Sequence, residues 1–118
     1  MARNQHLPIY QALYAFSREI YRLKVSLPKS LRSDLGSLLF SGALRCLRLT
    51  VIANGSKQKL KFLQQLYLEI EVIWVLLRLL HDLRAISGKQ FMLFSERLSN
   101  IQKQCSAWIA WAKKEEGA

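Results

Sequence analysis

Arg18 and Arg22 stand four residues apart, and Arg45 and Arg48 three apart, in stretches of the chain with almost no acidic residues. On a helix those spacings stack side chains on one face. A guanidinium held there offers a fixed fork of donors that suits phosphate oxygens. Tyr10, Tyr14 and Tyr21 flank the first pair. Basic residues edged by aromatics suit phosphate contact with base stacking, although tyrosines covering the shoulder of a helical bundle give the same pattern. Lys57, Lys59 and Lys61 form a triad in a short connection, and Lys24, Lys29 and Arg32 gather around Pro28. These residues are the candidate contacts to nucleic acid or to a partner.

Catalytic chemistry is hard to assemble from the remaining residues. The two histidines are His6, in the N-terminal tail, and His81, beside Asp82. Neighbouring residues on a helix point in different directions, so His81 and Asp82 make a poor catalytic pair. Glu69 and Glu71, two apart, do not face each other either. The chain has no HExxH, no glycine-rich phosphate loop and no GxSxG, and no ExxH of the kind that holds metals in bundles. Cys46 and Cys105 lack metal-ligand spacing. They fall on apolar helix faces and read as unbridged core thiols of a reducing compartment. The expectation is a protein that is not an enzyme and uses no metal or cofactor.

The elements that must position the basic residues are helices. Two prolines and five glycines in 118 residues are sparse punctuation. The first helix spans about 8–26: Pro8 favours its start, Ile9, Leu13, Phe16, Ile20, Leu23 and Leu27 form its apolar stripe, and Pro28 ends it. The second spans about 30–54, with Leu31, Leu35, Leu39, Gly42, Cys46, Thr50 and Ala53 on one side. Asp34, Ser37, Ser41, Arg45 and Arg48 lie roughly opposite. Asn54-Gly55 stops it.

The third helix, about 60–84, carries two apolar stripes. Leu63, Leu66, Ile70, Ile73, Leu77 and Leu80 suit a bundle core. Leu68, Val72, Val75, Leu79 and Leu83 lie about 135° away at ~100° per residue, and one bundle cannot cover both. The fourth, about 88–113, opens on a capping box of Ser87 and Gln90 and carries Phe91, Phe94, Leu98, Ile101, Cys105 and Trp108 on one side. Residues 113–118 are expected to fray. Short connections then imply one all-α domain, an antiparallel up-down-up-down four-helix bundle. The uncovered second stripe implies a homo-oligomer.

Charge sharpens the functional reading. Eighteen Lys and Arg oppose eight Asp and Glu, a formal net charge of +10. Residues 1–61 carry 11 basic and 2 acidic residues, and residues 62–118 carry 7 and 6. A surface charged only for solubility has no reason to concentrate its charge in one half, so the imbalance indicates a polyanion partner. The start MARNQHLPIY lacks the apolar stretch of a secretory signal, so none is expected. The longest runs without charge, taken as those such as 72–77, are read as far too short to span a bilayer. The expected location is the cytoplasm.

Four stretches carry a family resemblance: LPIYQALYAFSREIY from Leu7, LPKSLRSDLG from Leu27, LEIEVIWVLLRLLHDLRAISGKQF from Leu68, and the closing Trp108 and Trp111. With them the chain resembles the accessory variability determinants of diversity-generating retroelements, which are related to four-helix proteins encoded in ribosomal-RNA intervening sequences. The sequence departs from that pattern at ANGSKQKL, which is richer in lysine, and at 72–74, which is more apolar. The resemblance implies a pentameric barrel of four-helix bundles. It also implies binding to a reverse transcriptase and its template RNA or cDNA, in support of mutagenic reverse transcription of a variable gene region. The alternative is an intervening-sequence-type bundle, structural or ribosome- and RNA-associated, with no transcriptase partner. A third class is a small helical adaptor for proteins alone.

Overall fold

The computed structural model describes residues 4–117. A 3-10 turn, Asn4–His6, leads into α1, Pro8–Ser26; then follow α2, Lys29–Ser33, α3, Leu35–Gly55, α4, Leu60–Asp82, and α5, Gly88–Glu116. The described residues are helical apart from short turns, and the four long helices make the bundle that the apolar periodicity predicts.

Pairs of side chains fix the helix directions. Tyr21 meets Phe40 edge-on with ring centroids 5.2 Å apart, while Asn54 at the other end of α3 donates to Asn4. Arg45 reaches Glu69 at 3.2 Å, and Gln102 bridges Trp74 and Glu71. With Gly42 against Ile73, and Cys105 donating to the Leu63 carbonyl, each of the four long helices runs antiparallel to the next. α1 and α4 each pack between α3 and α5, so α1 and α4 occupy opposite corners of a rod 48 × 21 × 20 Å.

The core follows the stripes. Leu13, Phe16 and Ile20 of α1, Leu39, Ala43 and Cys46 of α3, Leu63, Leu66, Ile70 and Ile73 of α4, and Leu98 and Ile101 of α5 are buried. Phe16 and Phe94 meet edge-to-face at 6.1 Å, tying α1 to α5. Gly42 of α3 packs against α4: a Cβ there would stand 3.4 Å from Cγ1 of Ile73, in ordinary contact.

Local chemistry sets the ends. Pro8 occupies the start of α1, and Leu27 is extended before Pro28. Both arms of the Ser87–Gln90 capping box are formed.

Four expectations need correction. The second helix is broken: Asp34 leaves helical geometry, with ψ −82°, and its carboxylate caps the Leu35 N–H, so α2 and α3 are separate elements. The third helix ends at Asp82 rather than Arg84, because Arg84 adopts a left-handed φ of 58° and turns the chain. The end of the fourth helix does not fray from Lys113; it continues to Glu116, whose carboxylate accepts the Lys59 N–H at 2.9 Å, and Ala118, the last residue of that expectation, lies outside the described residues. Finally, residues 35–44 carry no charge, and 29–55 taken across the break is long and apolar enough to cross a membrane. Here Leu39, Ala43, Cys46 and Thr50 of that segment face the bundle core, Arg45 and Arg48 are outside, and Leu38, Leu44 and Val51 stand open on its outer side.

Candidate functional site

The basic residues distribute over two poles of the rod and two helix surfaces between them. At one pole α1 ends, α2 turns, α4 ends and α5 begins, bringing Lys24, Lys29 and Arg32 to the same end as Arg84 and Lys89. The last two were not among the residues singled out from sequence. The antiparallel order was the signal that could have found them, since it returns the last connection to the pole of the first. At the opposite pole stand Lys57, Lys59 and Lys61, with Gln58, Leu60, Gln64 and Glu116 around an open groove. Lys113 approaches the same Gln64 from α5.

Not all of these cations are equally available. Lys59 donates its ammonium to the carbonyls of Ala53, Asn54 and Ser56 at 2.8–3.0 Å. An ammonium has three protons, so Lys59 is used up in closing the C-terminal end of α3, where cations suit the exposed carbonyls. Arg32 donates to the Leu27 carbonyl at 3.1 Å and braces the turn at Pro28. Lys24 lies 5.9 Å from the centre of the Phe40 ring, and Lys61, already in the first turn of α4, 5.0 Å from that of Phe62.

On the surface of α1, Arg18 and Arg22 share a single carboxylate. Glu19 lies 3.5 Å from Arg18 and 2.7 Å from Arg22, and both guanidiniums remain more than half exposed. One carboxylate between two arginines fixes their direction and leaves a net positive charge. The tyrosines split their roles: Tyr21 is partly spent on Phe40, whereas Tyr14 stacks on Tyr10 at 6.4 Å and is 55% exposed.

On α3, Arg45 is held by Glu69, and Arg48 lies beside it in a groove floored by Leu49, Ile52, Phe62 and Leu68. Among the described residues 4–61, ten cations face two carboxylates, Glu19 and Asp34, and Asp34 is engaged as a cap.

The second stripe of α4 lies open. Leu68, Val72, Val75, Leu79 and Leu83 are all exposed, Val75 and Leu68 at 64% each. A groove beside the ridge is lined by Trp74, Val75, Leu79 and Phe91.

No family model and no curated protein matches the chain.

Two acid–base groups are strongly shifted by burial. Cys46 and Cys105 are free and buried, as their periodicity predicts. Burial pushes both thiols up to about 12, and for Cys46 the nearby Glu69 adds to it. Such thiols are poor nucleophiles at neutral pH. His81 stacks flat on Phe91 with ring centroids 4.7 Å apart, which gives it a packing role. Among the described residues no cluster of three or more His, Cys, Asp or Glu could hold a metal ion.

Proposed function

We propose that the protein is a non-enzymatic accessory subunit of a diversity-generating retroelement. In this reading it acts in the cytoplasm as a homo-oligomer, a pentamer by the family resemblance. It holds template RNA or cDNA against a reverse transcriptase during mutagenic synthesis of a variable gene region. The observation that carries the polyanion part is the disposition of charge: cations at both poles and along α1 and α3, where one carboxylate, Glu19, is shared between two arginines and another, Glu69 of α4, meets Arg45. Arg18, Arg22, Lys24, Lys29, Arg45, Arg48, Lys57 and Lys61 contact phosphates. Lys59 and Arg32 support them by fixing the two turns. The retroelement and its transcriptase come from the resemblance alone.

Nucleic-acid binding of this kind is tolerant of sequence, since no base-reading strand or helix accompanies the arginines. It is also steeply salt-dependent, because each neutralised phosphate releases counterions. The open ridge of α4 supports the assembly: contiguous apolar surface on a soluble domain marks an interaction site.

Two measurements test the reading. RNA is titrated against the protein at several salt concentrations, and the protein is co-purified with a reverse transcriptase encoded beside its gene. Salt-dependent RNA binding together with transcriptase capture supports it. RNA binding without a transcriptase partner favours the intervening-sequence-type alternative, and loss of both leaves an adaptor for proteins alone.

A further inference from the structure

Arg45 and Arg48 stand over the groove between α3 and α4, and that groove has a floor which phosphate contacts alone leave unused. Leu49, Ile52, Phe62 and Leu68 form it, and Gln65 and Glu69 complete the walls. Leu49 is buried, Ile52 and Phe62 are half-buried, and Leu68 is open. Leu68 also begins the α4 ridge; Leu49, Ile52 and Phe62 are separate from it.

Charge, length and the nature of the floor define the ligand. Arg45, Arg48 and Lys61 surround the groove, the last with its ammonium 5.0 Å from the centre of the Phe62 ring. The one carboxylate lining it, Glu69, is held by Arg45 at 3.2 Å. Among the described residues no ion pair engages Arg48. At the adjoining pole Glu116, beside Lys61, is engaged by the first amides of α4. The groove therefore favours an anion.

The Arg45–Glu69 pair sets the register of α3 on α4 and brings Ile52 level with Phe62. From Arg45 to Ile52 the groove runs about 10 Å at ~1.5 Å per residue, the length of about three stacked nucleotides at ~3.4 Å each. An apolar, partly aromatic floor beside cations receives a group with a flat apolar face and an anionic edge. A nucleobase with its phosphate is such a group. In a duplex the base faces are stacked on one another, and the protein meets phosphates and groove edges. Only a single strand offers the floor a base. An acyl chain gains from enclosure on all sides, which this open groove does not give.

We propose that the α3–α4 groove seats the bases of a single-stranded segment of nucleic acid, an inference that rests on the polyanion reading given above and names the class of strand. Phe62 is the stacking ring, and Arg48 and Lys61 meet the flanking phosphates. Every base has a face to stack, so the seat stays tolerant of sequence.

The wild-type protein is titrated with oligouridine, with its abasic ribose-phosphate analogue of equal length, and with oligouridine annealed to oligoadenosine. Charge alone ranks the duplex first, because its phosphates are denser. Oligouridine is instead expected to bind about fivefold or more tighter than the abasic strand, from one stacked base, and tighter than the duplex. Phe62→Leu keeps an apolar floor and removes the ring. It should lose that advantage and leave abasic binding and the salt slope unchanged, whereas Arg48→Ala should weaken both strands alike. Circular dichroism checks the fold. Should Phe62→Leu lose helicity, 4-thiouridine in the strand locates the seat in the wild-type protein, with its photochemical adduct expected on Phe62 or a neighbour in the groove. Equal affinity for the uridine and abasic strands, a duplex that binds tighter, or an adduct confined to α1 overturns the seat and leaves the phosphate contacts standing. A Phe62→Leu protein that keeps the strand and loses transcriptase capture assigns the groove to a protein segment and overturns it too. Failure of all three ligands to bind at low salt overturns the polyanion reading itself, and this seat with it.

Discussion

Glu116, in the last turn of α5, accepts the backbone N–H of Lys59 at 2.9 Å across 57 positions of sequence, and the Leu60 N–H more weakly at 3.3 Å. A carboxylate here satisfies donors that the first turn of a helix otherwise leaves without a partner, and it lies at the positive end of the α4 dipole. Glu116→Ala is therefore expected to cost about 1 kcal/mol. The amide protons of Lys59 and Leu60 should exchange several-fold faster, while those in the middle of α4 keep their protection. Hydrogen exchange followed by NMR checks both.

Two glycines of one region should respond in opposite ways. A methyl group at Gly42 meets Cγ1 and Cδ1 of Ile73 at 3.4 and 3.8 Å and Oε1 of Glu69 at 4.0 Å, all ordinary contacts. Alanine has the higher helix propensity, so Gly42→Ala should leave stability unchanged or raise it by up to ~1 kcal/mol. At Gly36 a Cβ falls 3.0 Å from Cγ of Lys24 and 3.2 Å from the Leu31 carbonyl oxygen, a backbone atom that cannot step aside. Gly36→Ala should lose about 1–3 kcal/mol through overpacking. Urea denaturation of the two variants beside wild type reads the contrast.

Ser17 is buried in α1, and its hydroxyl makes no hydrogen bond among the described residues. Burial of an unpaired hydroxyl costs free energy, and removing it recovers that cost. Ser17→Ala should raise the thermal midpoint by a few degrees, equivalent to about 1 kcal/mol. A lower midpoint would show that the hydroxyl has a partner after all.

The thiols give a pH dependence with a definite sign. Folding raises Cys46 and Cys105 from the ordinary value of 9.0 to about 12, so the folded chain holds these protons more tightly than the unfolded one. Their contribution to stability is complete below the unfolded pKa of 9.0 and is lost as pH rises toward 12. The native protein should resist iodoacetamide at neutral pH and react only after unfolding. Between pH 9 and 12 the denaturation midpoint should fall, and the fall should be smaller in Cys105→Ala.

Arg18 and Arg22 face water around Glu19, so replacing both with Ala should barely change stability, as exposed ion pairs contribute ~0–1 kcal/mol. RNA affinity should drop, and the slope of its logarithm against that of salt should flatten by about 2, roughly one per lost phosphate contact. An unchanged salt slope with lost transcriptase binding would move these arginines from the RNA to the protein partner. No change in either would leave them as solubilising charge.

The core was legible because periodicity is a local signal: Leu13, Phe16 and Ile20, or Leu63, Leu66, Ile70 and Ile73, declare their face every three or four residues, and all are buried. The second stripe of α4 was legible for the same reason. The break at Asp34 was hidden because the apolar spacing runs on from Leu31 through Leu35 to Leu39, while the capping that separates α2 from α3 depends on one backbone torsion. The role of Lys59 was hidden because its three acceptors belong to carbonyls, which sequence does not distinguish. Glu116 was missed because its partner lies on another helix and no local pattern marks the pair. Trp108 and Phe91 sit on the core stripe but are only half-buried, since the outer turns of a helix overhang the ends of the core.

The Asn54–Asn4 and Glu116–Lys59 hydrogen bonds place the first and last described residues at one pole of the rod. The order of the helices along the chain is thus separable from the bundle they build. A short flexible linker can join those two ends, and the chain can be reopened at the far pole between Ser26 and Lys29, where α1 already stops. The circular permutant would start at α2, keep every helix beside its present neighbours, and present its new ends among Lys24, Lys29 and Arg32 instead of beside Lys57. A fusion partner appended there would crowd the opposite set of cations, so the permutant and the parent chain together would show which pole the polyanion uses.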